Sequence, residues 1–293
     1  MTIQNSKLKI SKKIIVANWK MNPPTLKEAE AFFYAVLNSK FSRNAGSRPA
    51  GQIQNSLELI ICPPFIYLES LSKILNSKFY ILNSRLGAQD CFWEKQGAYT
   101  GEISPLMLKK LGVEHAIIGH SERRRYLGET DEMIAKKIKT VFENKLTPIL
   151  CVGEALEQKG KGTQKIIIQE QLKKSLKEIN NLKNKNLIVA YEPVWAIGTG
   201  NYCQPEEALE MIKFIKEILD LNFNLLDSSR QAGGKKDIQV LYGGSVDSKN
   251  IADYLKYPEI DGALVGGASI KIKEFQKLIN EVFEAVKTGT AEK

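Results

Sequence analysis

The chain has 293 residues, of which 43% are hydrophobic and 26% charged, and its formal net charge is +9. These values are ordinary for a globular protein, and no apolar run approaches the roughly twenty residues that a membrane-spanning helix needs. The surplus of lysine and arginine is spread along helix faces and the termini without interleaved aromatic residues, which does not indicate a nucleic-acid surface. We therefore expect neither a nucleic-acid partner nor a membrane partner.

Histidine and cysteine usage limits the chemistry further. Only two histidines are present, so a metal site built from several histidine ligands is excluded within one chain and no metal is expected. The N-terminus is polar and basic with no apolar segment behind its charges, so a secretory signal is not expected. The scattered cysteines lack metal-ligand spacing and suit reduced thiols in a cytoplasmic protein. They are Cys62, Cys91, Cys151 and Cys203.

The first part of the chain contains a basic stretch, a strand and a helix. We interpret residues 1–13 as a basic N-terminal extension and residues 14–17 as a short strand. Apolar residues at helical spacing predict an amphipathic helix over residues 24–38. Residues 40–56 are rich in Ser, Asn, Gly, Gln and Arg, which predicts an extended surface loop.

An alternation of short apolar strands and helices continues along the rest of the chain. One long helix is expected between the strand at residues 148–152 and residue 180, whereas residues 91–104 are too irregular for a helix. Strands that are apolar throughout are typical of parallel strands covered on both faces. One further strand is predicted to end near residue 90. The others are predicted at residues 57–62, 115–119, 148–152, 187–190, 238–242 and 262–265.

Eight such units predict a single closed (β/α)₈ barrel over residues 14–293. An open doubly wound sheet is the alternative, but no Gly-x-Gly-x-x-Gly fingerprint follows the first strand. The extra length beyond a minimal barrel lies in the N-terminal extension and at residues 40–56, 181–186 and 222–236. The last three are insertions between a helix and the next strand. In such barrels these loops lie on the face away from the active site.

Residues 190–200 read Ala-Tyr-Glu-Pro-Val-Trp-Ala-Ile-Gly-Thr-Gly and directly follow an apolar strand. Glu192 therefore lies at the carboxyl end of a buried strand, and Pro193 ends that strand because it cannot donate to a sheet ladder. The apolar middle of the loop needs a surface to bury it, and the glycines at its far end are typical of hinges. We hypothesise a carboxylate base under a closing lid. A strand-ending acid beneath a permanently packed loop is the alternative.

Polar residues that follow the strands of a barrel converge at one mouth. Glycine pairs after the last two strands leave no side chain to block a ligand, and loops at these positions commonly bind phosphate through backbone N–H groups. Plain tight turns are the alternative interpretation. The converging residues are Asn18, Lys20, Gln89, His120, Glu122, Glu192 and Ser245, with Gly198, Gly243, Gly244, Gly266 and Gly267.

Two of these side chains indicate their chemistry by position. His120 precedes what looks like a helical turn, and a helix N-terminus disfavours a positive imidazole, so a neutral hydrogen-bond donor is expected. A hydrogen-bonded core histidine is the alternative. Lys20 lies two residues after Asn18, and in an extended segment both side chains face the same side. Its ammonium would then meet an anionic oxygen; an exposed surface lysine is the alternative.

Six motifs follow one another along the chain: residues 18–22 (Asn-Trp-Lys-Met-Asn), 97–104 (Gly-Ala-Tyr-Thr-Gly-Glu-Ile-Ser), 118–124 (Ile-Gly-His-Ser-Glu-Arg-Arg), 190–200, 242–245 (Tyr-Gly-Gly-Ser) and 261–268 (Asp-Gly-Ala-Leu-Val-Gly-Gly-Ala). In these motifs and their order the chain resembles the triosephosphate isomerases from about residue 14 to residue 286, with the insertions as interruptions. The resemblance implies a TIM barrel that needs no cofactor and interconverts dihydroxyacetone phosphate and D-glyceraldehyde 3-phosphate, in glycolysis and gluconeogenesis.

The resemblance also implies residue roles. Glu192 would move the proton between the two carbons through an enediolate, and His120 would serve the enediolate oxygens. Lys20 would supply a positive charge, Asn18 would position the substrate, and Glu122 would orient the lysine. The phosphate would be held by backbone N–H groups at Gly198, Ser245, Gly266 and Gly267.

Members of the family are homodimers, so the resemblance implies a homodimer in which Thr100 lies near Asn18 and Lys20 of the other protomer. The chain departs from the family at Asn201, where lysine is frequent, and at residues 202–204. These departures concern the motion of the loop and leave the reaction unaffected.

Two other functions remain open at this point. A different phosphosugar barrel is one: a Schiff-base aldolase would need a lysine where this chain has Glu192, and a metal-dependent epimerase would need more histidines. A binding protein that has lost catalysis is the other. Asn18, Lys20, His120 and Glu192 are all present, which argues against it.

Overall fold

The computed structural model describes residues 12–37, 56–77, 83–182, 185–198, 201–223 and 238–288. Eight parallel strands form a closed barrel in which each strand pairs with its neighbours in sequence and β1 pairs with β8. The strands are β1 (Lys13–Asn18), β2 (Leu57–Cys62), β3 (Asn83–Ala88), β4 (His115–Ile118), β5 (Thr147–Val152), β6 (Ile188–Tyr191), β7 (Gln239–Tyr242) and β8 (Gly262–Val265). The predicted closed (β/α)₈ barrel is confirmed, and the β1–β8 pairing excludes an open sheet.

Helices follow the strands and cover the outside of the barrel. Between β3 and β4 the chain runs without a helix through residues 91–104, as predicted, before the short helix α3. The helices are α1 (Leu26–Leu37), α2 (Leu68–Ser77), α3 (Pro105–Lys110), α4 (Ser121–Leu127), α5 (Asp131–Glu143), α6 (Leu156–Gly160), α7 (Gln164–Ser175), α8 (Pro205–Phe223), α9 (Ile251–Leu255) and α10 (Ile272–Thr288).

The buried residues form two layers. Alternate residues of the strands point inward and fill the barrel interior with branched side chains such as Ile14, Ile117 and Ile149, so the barrel is a packed core without a pore. The opposite faces of the strands pack against the apolar faces of the helices in a second, larger cluster. The two clusters hold the strand ends in fixed positions, which gives the polar residues after each strand a rigid support.

Two local predictions are wrong. The single helix expected up to residue 180 is two helices, α6 and α7, because Gly162 between them has a φ of 67° that ends a right-handed helix. The chain after Asn18 is not extended, since Lys20 has a φ of 53°, in the left-handed region. The argument that Asn18 and Lys20 face the same side because of an extended backbone therefore fails.

Several expectations fall outside the described residues. These are most of the N-terminal extension, nearly all of the insertions at residues 40–56 and 222–236, part of the one at 181–186, and Gly200 of the loop. β1 begins at Lys13, so this strand includes the last residue of the predicted extension. Within the described part of the chain, every helix is too short or too polar to cross a membrane.

Candidate active site

A cleft of about 690 Å³ opens at the carboxyl ends of the strands. Its wall brings together residues that lie far apart in the chain, because the ends of parallel strands in a closed barrel surround one mouth. Most of the predicted site residues line it: Asn18, Lys20, His120, Gly198, Ser245, Gly266 and Gly267. Glu192 and Glu122 are not among the lining residues, but each contacts one of them: Glu192 contacts His120, and Glu122 contacts Lys20. Thr100 is exposed on a separate loop.

Lys20 is held by its backbone as well as by its side chain. Its N–H donates to Asn18 Oδ1 at 3.0 Å, and its carbonyl accepts a hydrogen bond from Gln89 Nε2 at 2.8 Å. These two bonds fix the left-handed conformation, which is costly for a lysine and is found mainly at functional sites. The ammonium lies 2.5 Å from Glu122 Oε1, so the lysine enters the cleft already paired with a carboxylate.

His120 caps the N-terminus of α4. Its Nδ1 accepts the backbone N–H of Glu122 at 3.2 Å, which leaves Nε2 to carry the proton of the neutral ring. Nε2 lies 3.0 Å from Glu192 Oε1. The Nε2 side of the ring therefore faces Glu192 at the wall of the cleft.

Glu192 directly follows β6 and is only 1% exposed. Its Oε2 accepts the backbone N–H of Ser121 at 2.9 Å, whereas Oε1 accepts no well-aligned hydrogen bond from the described residues. A Cβ on Gly153 would lie 1.6 Å from the carbonyl oxygen of Glu192, so only glycine fits at that position. The carboxylate is thus almost fully removed from water, and only one of its two oxygens accepts a well-aligned hydrogen bond. A carboxylate in such surroundings is a candidate for a functional group.

The predicted lid follows Glu192 within residues 190–200. We use the name lid segment for residues 193–203, of which the structure describes all but residues 199 and 200. Trp195 Nε1 donates to Glu154 Oε1 at 2.8 Å, and the ammonium of Lys159 lies 3.7 Å from the centre of the indole ring. Burial raises the pKa of the Glu154 carboxyl, while the hydrogen bond from Trp195 acts in the opposite direction. The first turn of the lid segment is therefore attached to the loop after β5 by polar contacts.

The middle of the lid segment is attached to the turn after β7. Ser245 Oγ donates to the carbonyl of Ala196 at 2.7 Å and accepts the N–H of Gly198 at 3.3 Å. Gly198 has a φ of 71°, a conformation that a side chain would strain. The apolar middle predicted to need a surface is partly covered, with Ala196 buried and Trp195 half-buried.

The glycine pair after β8 leaves room for a ligand. A Cβ on Gly267 would meet no atom within 4 Å, so a side chain there would project into open space at the cleft wall. A Cβ on Gly266 would lie 3.0 Å from Lys20 Cε. These two positions bring bare backbone close to the lysine, an arrangement suited to an anion.

Sequence reasoning missed some residues that shape the site. Gln89 was placed at the mouth without a role, and it fixes the carbonyls of Lys20 and Cys62. The Ser121 amide that holds Glu192 and the Glu154 carboxylate that holds Trp195 were not identified. Gln89 can be found from the sequence because it is a polar residue at the end of a strand. A backbone amide such as that of Ser121 cannot be found in this way, because every residue type except proline has one.

Comparison with known proteins assigns this arrangement to a family. A family model described as triosephosphate isomerase matches residues 13–282. A triosephosphate isomerase from Dictyoglomus turgidum is 43% identical over 92% of this chain and 98% of its own length. Those from Trichodesmium erythraeum and Thermoanaerobacter pseudethanolicus are 41% and 39% identical, over 92% and 91% of this chain and 98% of their own lengths.

The chain belongs to the triosephosphate isomerase family. Its activity is that of a triose-phosphate isomerase, which interconverts dihydroxyacetone phosphate and D-glyceraldehyde 3-phosphate in glycolysis and gluconeogenesis. The resemblance inferred from the six motifs and the TIM-barrel fold are both confirmed. The aldolase, epimerase and non-catalytic alternatives are therefore set aside.

Proposed function

We propose that Glu192 is the general base of the isomerisation. It removes the proton from one carbon of the triose phosphate and returns a proton to the neighbouring carbon, with an enediolate between the two steps. The observation that carries this proposal is the pairing of a carboxylate that is 1% exposed with His120, at 3.0 Å, behind a cleft that an apolar lid segment borders. Removal of water raises the reactivity of such a carboxylate.

The carboxylate has to turn towards the cleft before it reacts. In the structure it is bonded to the Ser121 amide, and it is not one of the described residues that line the cleft. A Cβ on Gly243, a cleft residue, would lie 3.0 Å from Glu192 Cγ, so the glycine leaves space on the cleft side of the glutamate. We take the observed position as the resting one.

The neighbours of Glu192 stabilise the charge that develops on the substrate oxygens. His120 donates from Nε2 to these oxygens, and Lys20 places a fixed positive charge beside them. Asn18 positions the substrate and also holds the amide of Lys20. Glu122, 2.5 Å from the ammonium, keeps the lysine directed into the cleft.

The phosphate is bound by backbone N–H groups of Gly198, Ser245, Gly266 and Gly267. Gly198 lies on the lid segment and the other three on turns after β7 and β8, so phosphate binding joins the lid to the barrel. Closure then excludes water and protects an enediolate that would otherwise eliminate phosphate.

The chain also acts as a homodimer. Met21, next to Lys20, is 94% exposed, and Tyr99 on the loop of residues 91–104 is 44% exposed, which is an unfavourable exposure of large apolar side chains. Dimer formation covers both and places Thr100 of one protomer near Asn18 and Lys20 of its partner. A Met21→Arg variant then sediments as a monomer of 32.9 kDa, whereas the wild type sediments as a dimer.

A cytoplasmic location agrees with the cysteines, all four of which are buried free thiols. The proposal of a barrel domain over residues 14–293 behind a basic extension is tested by removing residues 1–11. Truncation before β1 leaves activity and thermal stability unchanged if the extension is a separate unit.

The base assignment is tested by isomerisation of D-glyceraldehyde 3-phosphate with Glu192→Asp and Glu192→Gln. Aspartate keeps the charge but shortens the reach, and glutamine keeps the shape but removes the basicity, so both lower kcat by about 10²- to 10⁴-fold. Binding of 2-phosphoglycolate by calorimetry is the control for an intact cleft. A glutamine variant that retains wild-type kcat would show that another group is the base.

A further inference from the structure

The trailing end of the lid segment is fixed by a residue outside the cleft. Cys203 directly precedes the last residue before α8, and its side chain is 1% exposed. The phenol of Tyr254, from α9, donates a hydrogen bond to the carbonyl of Cys203 at 2.5 Å. Tyr254 is fully buried and does not line the cleft, so this contact holds the backbone of the lid segment without touching a ligand.

Tyr254 is itself held by Tyr242, the last residue of β7. The two rings stack with centroids 4.0 Å apart and an interplanar angle of 16°, and their hydroxyl oxygens are 3.2 Å apart. Burial raises the pKa of Tyr254 to about 12, so the phenol keeps its proton as a donor near neutral pH. The contact with Cys203 is thus made by a ring that has little freedom to move.

The same pair of tyrosines packs against the turn that the phosphate approaches. A Cβ on Gly244 would lie 2.2 Å from the Tyr242 hydroxyl and 3.1 Å from Pro193 Cγ. Pro193 is the leading end of the lid segment and Gly244 belongs to the turn after β7. Both ends of the lid segment and this turn therefore meet at one packed tyrosine pair.

We propose that Tyr254 is a positioning residue that anchors the trailing end of the lid. By fixing the Cys203 carbonyl it limits the conformations of the backbone next to α8, so less conformational entropy is lost when the lid closes over the phosphate. This inference rests on the proposed role of residues 193–203 as a lid. It adds a residue that acts through the backbone of Cys203 and has no contact with substrate.

The test compares Tyr254→Phe with the matched control Tyr257→Phe. The first change keeps the ring on Tyr242 and removes the hydroxyl that bonds to the Cys203 carbonyl and contacts the Tyr242 hydroxyl. The second removes a phenol three residues further along the chain, just after α9, that donates to Glu206 Oε1 at 2.7 Å, in the first turn of α8. Both variants thus lose one hydroxyl that bonds in or next to α8, and only one of them loses contact with the lid segment.

Three measurements are made on each full-length protein. Calorimetry gives the Kd of 2-phosphoglycolate, and steady-state kinetics separate KM from kcat. Fluorine NMR of protein labelled with 5-fluorotryptophan follows Trp195 in the lid segment, and the other two of the three tryptophans, Trp19 and Trp93, serve as internal references.

Tyr254→Phe is expected to weaken 2-phosphoglycolate binding and to raise KM by about three- to tenfold, with a smaller change in kcat. The free-state Trp195 signal broadens or shifts while the reference signals do not, and Tyr257→Phe behaves as wild type. A lowered melting temperature with wild-type Kd and an unchanged Trp195 signal would overturn the inference and leave a purely structural role. If the wild-type Trp195 signal does not respond to 2-phosphoglycolate, the lid assignment fails and the anchor fails with it.

Discussion

Two clusters of polar and charged residues each include one residue of α4, Glu122 in one and Arg123 in the other, and the lysine in each cluster is paired to a different extent. In the active cluster (Asn18, Lys20, His120, Glu122 and Glu192), Lys20 is 29% exposed and pairs with Glu122. In the structural cluster (Asp90, Arg123, Glu129 and Lys137), Lys137 is 2% exposed and bonds to both oxygens of Asp90 and to Glu129.

The structural cluster is closed further by Arg123, which lies 2.8 Å from Asp90. Burial still raises the pKa of Asp90 to about 6, because the loss of solvation outweighs the two cations. A buried ammonium with all three donors used is held in one place, whereas Lys20 keeps room for an anion from outside. The contrast shows that a charge is available for chemistry only where its pairing is left incomplete.

Lys137→Met is expected to give the largest effect and to act on stability. It leaves Asp90 and Glu129 buried without their shared cation, which costs about 3–5 kcal/mol of unfolding free energy. Urea denaturation at pH 7 measures this loss. Lys139→Met is the matched control, since that lysine is 50% exposed and lies 3.7 Å from Glu178, a surface pair that contributes at most about 1 kcal/mol. Similar losses of unfolding free energy in both variants would mean that the buried cluster contributes no more to stability than a surface ion pair.

The same substitution in the active cluster, Lys20→Met, should act on rate. Loss of the charge beside the substrate oxygens lowers kcat/KM by about 10²- to 10³-fold. The unfolding free energy changes little, because the lysine side chain is 29% exposed and methionine has the same steric cost in the left-handed backbone conformation. Kinetics with D-glyceraldehyde 3-phosphate and urea denaturation on the same preparation distinguish an effect on the reaction rate from an effect on stability. A variant that loses stability and keeps its rate would reverse the comparison.

The two histidines flank one strand and extend the comparison. His120 follows β4 at the cleft, whereas His115 begins β4 and is 7% exposed, with burial lowering its pKa to about 4. The unfolded state binds a proton near pH 6.5 and the folded state does not until about pH 4, so stability falls as pH falls through this window.

His115 therefore removes about 2 kcal/mol of stability between pH 7 and pH 5. His115→Gln does not titrate there, so its urea midpoint should fall less over the same pH range. Equal slopes for the two proteins would show that His115 is not the group responsible.

The sequence was sufficient to predict the strands and the active cluster but not the structural cluster. Parallel strands that close into a barrel bring their ends together. Polar residues at strand ends can therefore be predicted to form one cluster without knowledge of side-chain packing. Lys137 lies within a helix and reaches Asp90 and Glu129 only because of how α5 packs on the barrel. Nothing in its spacing predicts those partners.

The backbone conformation of Lys20 also could not be predicted from the sequence. The left-handed Lys20 is imposed by bonds from Asn18 and Gln89, which come from different strands, and lysine has no intrinsic preference for it. The break between α6 and α7 was more accessible, since Gly162 is a residue that commonly ends helices. The contact of Tyr254 with Cys203 joins two helix termini that no local pattern relates.

The pairing of β1 with β8 has a consequence for how the chain is made. These strands come from opposite ends of the sequence, and Ile14 lies beside Gly262 in the closed sheet. A ribosome adds about 5–20 residues per second, so β1 waits many seconds with one unpaired edge before β8 emerges. Until then the nascent chain presents an open strand edge that could pair with another molecule. Only the pairing of β8 with β1 completes the sheet and removes this exposed edge.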